Sequence, residues 1–150
     1  MRGIVGKTVA GFLKEETKDA AGSLQVCAGH SAGSEAAIHA MSQVFAEEGT
    51  DRVLPTDTSN TFNQMNRSVA LNNIQITRKE MSLYIINTYR SPSRLFICGG
   101  GEILSQPWYS VNTSIMIQSL RISTPGVKQV WLADDSAVGG KIVPLYNWYN

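Results

Sequence analysis

Two rhythms of apolar and polar positions alternate along this chain, and glycines and prolines mark where one gives way to the other. From residue 2 to residue 19, Ile4, Val5, Val9, Phe12 and Leu13 stand close to helical spacing, with Gly22 as the stop. Leu24-Gln25-Val26-Cys27 is a short run that reads as extended, and residues 28 to 33 form a small-residue turn. A helix follows from about Ser34 to Glu47. Ala37, Ile38, Met41, Val44 and Phe45 share its apolar face, Glu35 suits its first turn and Gly49 marks its end. Val53 to Asp57 reads as a strand, in which Pro55 belongs on an edge because it lacks a ladder donor. Asn66 can cap a helix from Arg67 to about Ile74, and Arg78 to Thr88 forms another. Arg94 to Cys98 predicts a strand that turns at Gly99-Gly100-Gly101 and pairs with Glu102 to Leu104. Tyr109 to Leu120 is helical in pattern, and Pro125-Gly126 breaks the chain before the strand Val127 to Leu132. Asp134 and Asp135 fall at the tip of a predicted hairpin, followed by Ser136, Ala137, Val138 and a turn pair at Gly139-Gly140, and Ile142 to Trp148 begins a last helix. The fold class predicted is α+β: a small antiparallel sheet backed by helices 34–47 and 109–120.

Composition narrows this picture without changing it. At 150 residues the chain is one domain, long enough to bury a real core. An apolar content of 43% with 17% charged residues is that of a globular segment rather than a disordered one. The net charge of +1 lacks the basic footprint of a free-standing nucleic-acid binder. Cys27 and Cys98 are too few and too scattered for a disulfide scaffold and read as small buried hydrophobes. Cys27 and His30 make a C-x-x-H pair, but no second pair completes a tetrahedral zinc site. No apolar run approaches the roughly 20 residues that span a bilayer, and the charged, amphipathic start is unlike a signal peptide. These features predict a cytoplasmic or nuclear protein without a membrane partner, and they set no oligomeric state.

Two features carry candidate chemistry. The first is acidic: a strand ends at Asp57, and a hairpin tip presents Asp134 and Asp135. Carboxylates from separate strand ends can converge on one sheet edge, where hard oxygen ligands suit Mg²⁺. Paired metals in such a place hold the attacking and leaving oxygens of a phosphoryl displacement. Strand-end and turn aspartates are also common without any ligand. The second feature is Gly29-His30-Ser31-Ala32-Gly33, which fits the G-x-S-x-G nucleophile elbow. That mechanism needs a histidine base arriving after the serine and an acid, whereas His39, about two turns into the next helix, is the last histidine in the chain. Ser31 therefore stands only as the alternative catalytic residue.

The segment DTSNTFNQMNRSVALNNI, from Asp57 to Ile74, with WLADDSAVGG, from Trp131 to Gly140, resembles the reverse-transcriptase domain of non-LTR retrotransposons. The likeness extends to Gln25–Phe45 and to Asn87-Thr88-Tyr89-Arg90. In that family the first aspartate opens a D-x-x-N-x-F-N segment, and the second station reads aromatic-Ala-Asp-Asp. The resemblance implies an incomplete polymerase palm, with fingers and palm helices over residues 1–50 and a palm core over residues 51–150. It implies Asp57 and Asp134 as ligands of Mg²⁺ or Mn²⁺, the Thr58 carbonyl as a further oxygen, and Asp135 tuning the site. Phe62 matches the wall that excludes a sugar 2′-hydroxyl. The implied partners are an RNA template, a DNA primer and deoxynucleoside triphosphates. Pro55 and Leu132 depart from the family's aliphatic and aromatic residues at those places. A block with a Gln-Gly-Asp-Pro core, which helps hold template and nucleotide, is missing where Gln106 abuts Pro107. By the resemblance, further fingers residues would be expected before Met1 and a thumb after Asn150, and the expectation is that both are absent. The expectation is a reverse-transcriptase-like domain of a mobile element, by ancestry an RNA-directed DNA polymerase and inactive as this fragment. A non-catalytic remnant or interaction module is the alternative.

Overall fold

Both acidic stations lie at the ends of strands in one antiparallel sheet of three, β1 (Arg52–Thr56), β2 (Val127–Leu132) and β3 (Asp135–Gly140), in the order β1-β3-β2. The computed structural model describes residues 2–59, 61–91 and 105–150. The strand-turn-strand expected over residues 94–104 and Cys98 lie outside the described residues. The helices are α1 (Arg2–Phe12), α2 (Lys14–Ala21), α3 (Gly33–Ala46), α4 (Thr61–Gln64), α5 (Arg67–Thr77), α6 (Lys79–Tyr89), α7 (Ser105–Ser123) and α8 (Ile142–Tyr149). Mixed helix and strand make the fold α+β.

Period-two alternation sorts the sheet's side chains between two helical layers. Val130 of β2 packs with Met41 and Val44 of α3, joined by the half-buried Val53 and Ala137. On the opposite face Val127 and Val138 pack against Leu145 of α8. Gly139 lets α3 approach on the first face: a Cβ there would meet the Val44 side chain at 2.5 Å. A separate, purely helical core gathers Ala70 and Ile74 of α5, Met81 and Ile85 of α6, and Trp108 and Val111 of α7. Tyr89 stacks on Trp108 there, with ring centroids 4.4 Å apart.

Sequence patterning and structure differ at two helices. The helix expected over residues 2–19 is divided into α1 and α2 at Leu13, whose ψ of 14° departs from helical geometry. Packing accounts for the break, because the apolar residues of this stretch do not form one stripe. Val9 and Leu13 turn toward the helical core while Ile4 and Phe12 stay exposed, and the offset brings Thr17 and Ala21 inside. Helix α7 begins at Ser105 rather than Tyr109. Pro107 is accommodated because N–H groups of a helix's first turn have no intrahelical partner to lose. The strand proline is equally consistent with its place, since β1 is an edge of this sheet.

Asn66 caps α5 as its position predicts, its side-chain oxygen accepting the Val69 N–H at 3.1 Å. Asn66→Ala should cost about 1 kcal/mol. Urea unfolding checks this, and an unchanged midpoint would mean that the cap is not formed in solution.

Candidate functional site

Register places the two acidic stations. β1 pairs with β3 from Arg52 opposite Gly140 to Thr56 opposite Ser136. The ladder stops there, one residue short of Asp57 and Asp135, which line the same cleft. β2 and β3 close with Leu132 opposite Asp135, leaving Ala133-Asp134 as a two-residue turn. Positive φ at its first central residue alone, 58° at Ala133, is the pattern of a type II′ turn. Glycine usually fills that position. The alanine Cβ makes this conformation costly, so surrounding bonds must hold it.

Those bonds are present on both sides of the tip. From β1, the Thr56 and Ser136 hydroxyls hydrogen-bond each other, and the Thr58 hydroxyl donates to the Asp134 carbonyl oxygen at 3.2 Å. The Thr58 carbonyl, expected as a metal ligand, already accepts the Thr61 hydroxyl. From the other side, the extended segment 24–26 lies beside β2. Val26 N–H donates to the Trp131 carbonyl at 2.8 Å, and Trp131 N–H donates to the Leu24 carbonyl at 2.7 Å. Phe62 lies in α4, and its side chain is outside what the structure describes.

Asp134 is the charge to which its neighbours respond. The Asp135 carboxyl is pushed above the ordinary aspartate range, first by loss of solvent and then by the Asp134 and Asp57 charges. Burial raises the Cys27 thiol, and Asp134 raises it further. Tyr109 of α7 is raised by the same two causes, against the lowering effect of its hydrogen bond with Thr61. Cys27 is thus half-buried beside an acidic tip rather than a core hydrophobe.

Clefts flank this acidic edge. One of about 390 Å³ is lined by Ile38, Pro55, Asp57, Leu132, Asp135 and Ala137. The other, about 340 Å³, is lined by Cys27, His30, Ser34, Leu132, Asp134 and Asp135. Leu132 and Asp135 border both, so the edge forms a ridge between an apolar and a more polar hollow. Among the described residues no group of three or more His, Cys, Asp or Glu side chains is set to hold a metal ion. The donor chemistry, an Asp135 carboxyl raised by loss of solvent and then by the Asp134 and Asp57 charges on the same edge, nonetheless fits Mg²⁺. That ion keeps several waters and is bound through one or two carboxylates plus substrate phosphates, without a cage built by protein alone. Ser31 is exposed on the turn before α3 and lines neither hollow, and His39 is exposed on α3.

Sequence reasoning gave no role to Gln25 or Tyr109, yet both lie against the tip. Tyr109 carried no local signal. Gln25 did: an amide within the run Leu24-Gln25-Val26-Cys27 must find partners if that run is buried. Among the described residues no helix is long and apolar enough to cross a membrane. Compared with known proteins, the chain matches no family model, no curated protein and no solved structure.

Proposed function

We propose that this chain is a reverse-transcriptase-like domain of a mobile element, its acidic edge descended from a two-metal nucleotidyl-transfer site and without polymerase activity in this form. The observation that supports the reading is the β1–β3 register, which ends one residue short of Asp57 and Asp135, with Asp134 in the turn between the hairpin strands. Asp57 and Asp134 would hold Mg²⁺ or Mn²⁺. When bound, the cation supplies activation of a primer 3′-hydroxyl and neutralisation of charge on the triphosphate. Asp135 raises the negative potential that draws the cation in, and the Thr58 hydroxyl fixes the Asp134 peptide from the β1 side.

Inactivity follows from positioning. Phosphoryl transfer relies on aligned reactants, and a displacement of about 1 Å can cost about 100-fold. The family's template-gripping block would fall where α7 runs through Gln106-Pro107 without an intervening loop. Leu132, in place of an aromatic, offers no flat face to a primer end. Incubated with a primed RNA template, deoxynucleoside triphosphates and Mg²⁺ or Mn²⁺, neither the chain nor its Asp134→Ala variant should extend the primer. Extension by the parent chain and not by the variant would overturn the inactive reading and establish an RNA-directed DNA polymerase.

A further inference from the structure

The deepest polar side chain near the acidic tip belongs to none of the carboxylate stations. Gln25 is fully buried, at 0% exposure. Its amide makes a reciprocal pair with one residue of the turn, holding the peptides on both sides of it: the Ala133 N–H donates to Oε1 at 2.8 Å, and Nε2 donates to the Ala133 carbonyl at 3.1 Å. The same Oε1 also accepts the Cys27 N–H at 3.3 Å. The backbone of residues 24–26 pairs with Trp131, two residues before Ala133. The Gln25 side chain therefore continues that pairing past the point where the backbone diverges, satisfying both polar groups of the left-handed alanine.

We propose that Gln25 is the positioning residue of the acidic site, fixing Ala133 and through it the direction in which Asp134 leaves the turn. The inference rests on the cation-binding reading of that edge. Its physical basis is the conflict at Ala133, where a side chain occupies a conformation suited to glycine. A turn under such strain relaxes unless its N–H and carbonyl are held, and a carboxylate one residue on moves with it. A hydrogen-bond partner behind a metal ligand is worth about 10- to 100-fold in affinity.

Two variants separate this role from mere support of the fold. Gln25→Met keeps length and loses all three bonds. Gln25→Glu keeps an acceptor for the Ala133 and Cys27 N–H groups and, when ionised, loses the donor. Each is followed by amide hydrogen exchange at Ala133 and by Mn²⁺ titration, with helix content monitored by circular dichroism. In Gln25→Met, Ala133 exchange should quicken at least tenfold and Mn²⁺ affinity should fall about tenfold. Gln25→Glu should recover much of the exchange protection. Should Gln25→Met not fold, a third variant, Gln25→Asn, decides, because its neutral but shorter amide cannot reach both polar groups of Ala133 and still predicts faster exchange and weaker Mn²⁺ binding than in the parent. Unchanged exchange in the variants overturns the clamp, and quickened exchange with unchanged Mn²⁺ affinity overturns its effect on Asp134. Absence of Mn²⁺ binding by the parent chain would sink the cation reading and the positioning role with it. That failure is seen in the parent protein, whereas failure of the clamp is seen only in the variants.

Discussion

Gly33→Ala is expected to remove about 3 kcal/mol of stability, the upper end of overpacking penalties. Gly33 opens α3 against the extended segment 24–26, and a Cβ there would collide with the Val26 carbonyl oxygen and lie 3.1 Å from its carbon. Both atoms are backbone, so no rotamer change gives relief. Val26 is tied to Trp131 of β2 by a 2.8 Å hydrogen bond, and any retreat of the segment pulls on the strand that leads to the acidic turn. A loss of that size is a large part of the 5–15 kcal/mol that typically holds a domain together. Gly11 provides the control, since a Cβ there meets nothing within 4 Å. Gly11→Ala, near the end of α1, should instead stabilise by up to about 1 kcal/mol through helix propensity. Urea unfolding of both variants measures the contrast. Equal midpoints for Gly33→Ala and the parent would mean that α3 does not seat on segment 24–26 in solution.

That contact also marks where the sequence stops being legible. Local signals were readable wherever one stretch carried its own physics. The Asn66 cap and the existence of the β2–β3 hairpin depend on neighbours a few residues away. The hairpin's turn, however, is Ala133-Asp134 rather than Asp134-Asp135, and Gly139-Gly140, expected as a turn pair, lies within β3 because it pairs with β1 and β2. The approach of Asp57 to Asp135 was readable only in part, because it needs a strand pairing across nearly 80 residues. Resemblance to a family suggested that pairing; periodicity did not. The division at Leu13 was hidden, since an apolar residue at helical spacing says nothing about which side the core occupies. Gln25 was hidden for a similar reason: its partners in the turn lie 108 residues away, and only the demand that a buried amide be satisfied pointed toward them. Tyr109 is the extreme case, a residue at the start of an ordinary apolar helix pattern whose surroundings arise wholly from the packing of α7 against the site.

Divalent-cation affinity should fall at least tenfold on Asp57→Asn or Asp134→Asn, since losing a direct oxygen ligand should cost no less than the 10- to 100-fold typical of an outer-shell partner. The pH dependence of that affinity carries its own sign. The folded-state pKa of Asp135 is raised, by loss of solvent first and then by Asp134 and Asp57. Without a cation, the folded chain holds this proton more tightly than the unfolded chain does. The stability it contributes is complete below the ordinary aspartate value and is lost as pH rises through the raised value. Exposure of Asp135 to solvent keeps that contribution small. A bound cation opposes the proton, so on acidification its affinity should begin to fall at a higher pH than for isolated aspartates. Mn²⁺ should accordingly raise the melting temperature at pH 7 and do so less as the pH approaches 4, with Asp135→Asn flattening the dependence. A melting temperature indifferent to Mn²⁺ at every pH, in the parent and the variants alike, would reduce the acidic edge to three solvated aspartates. A response that survived in Asp57→Asn and Asp134→Asn would place the cation elsewhere on the molecule.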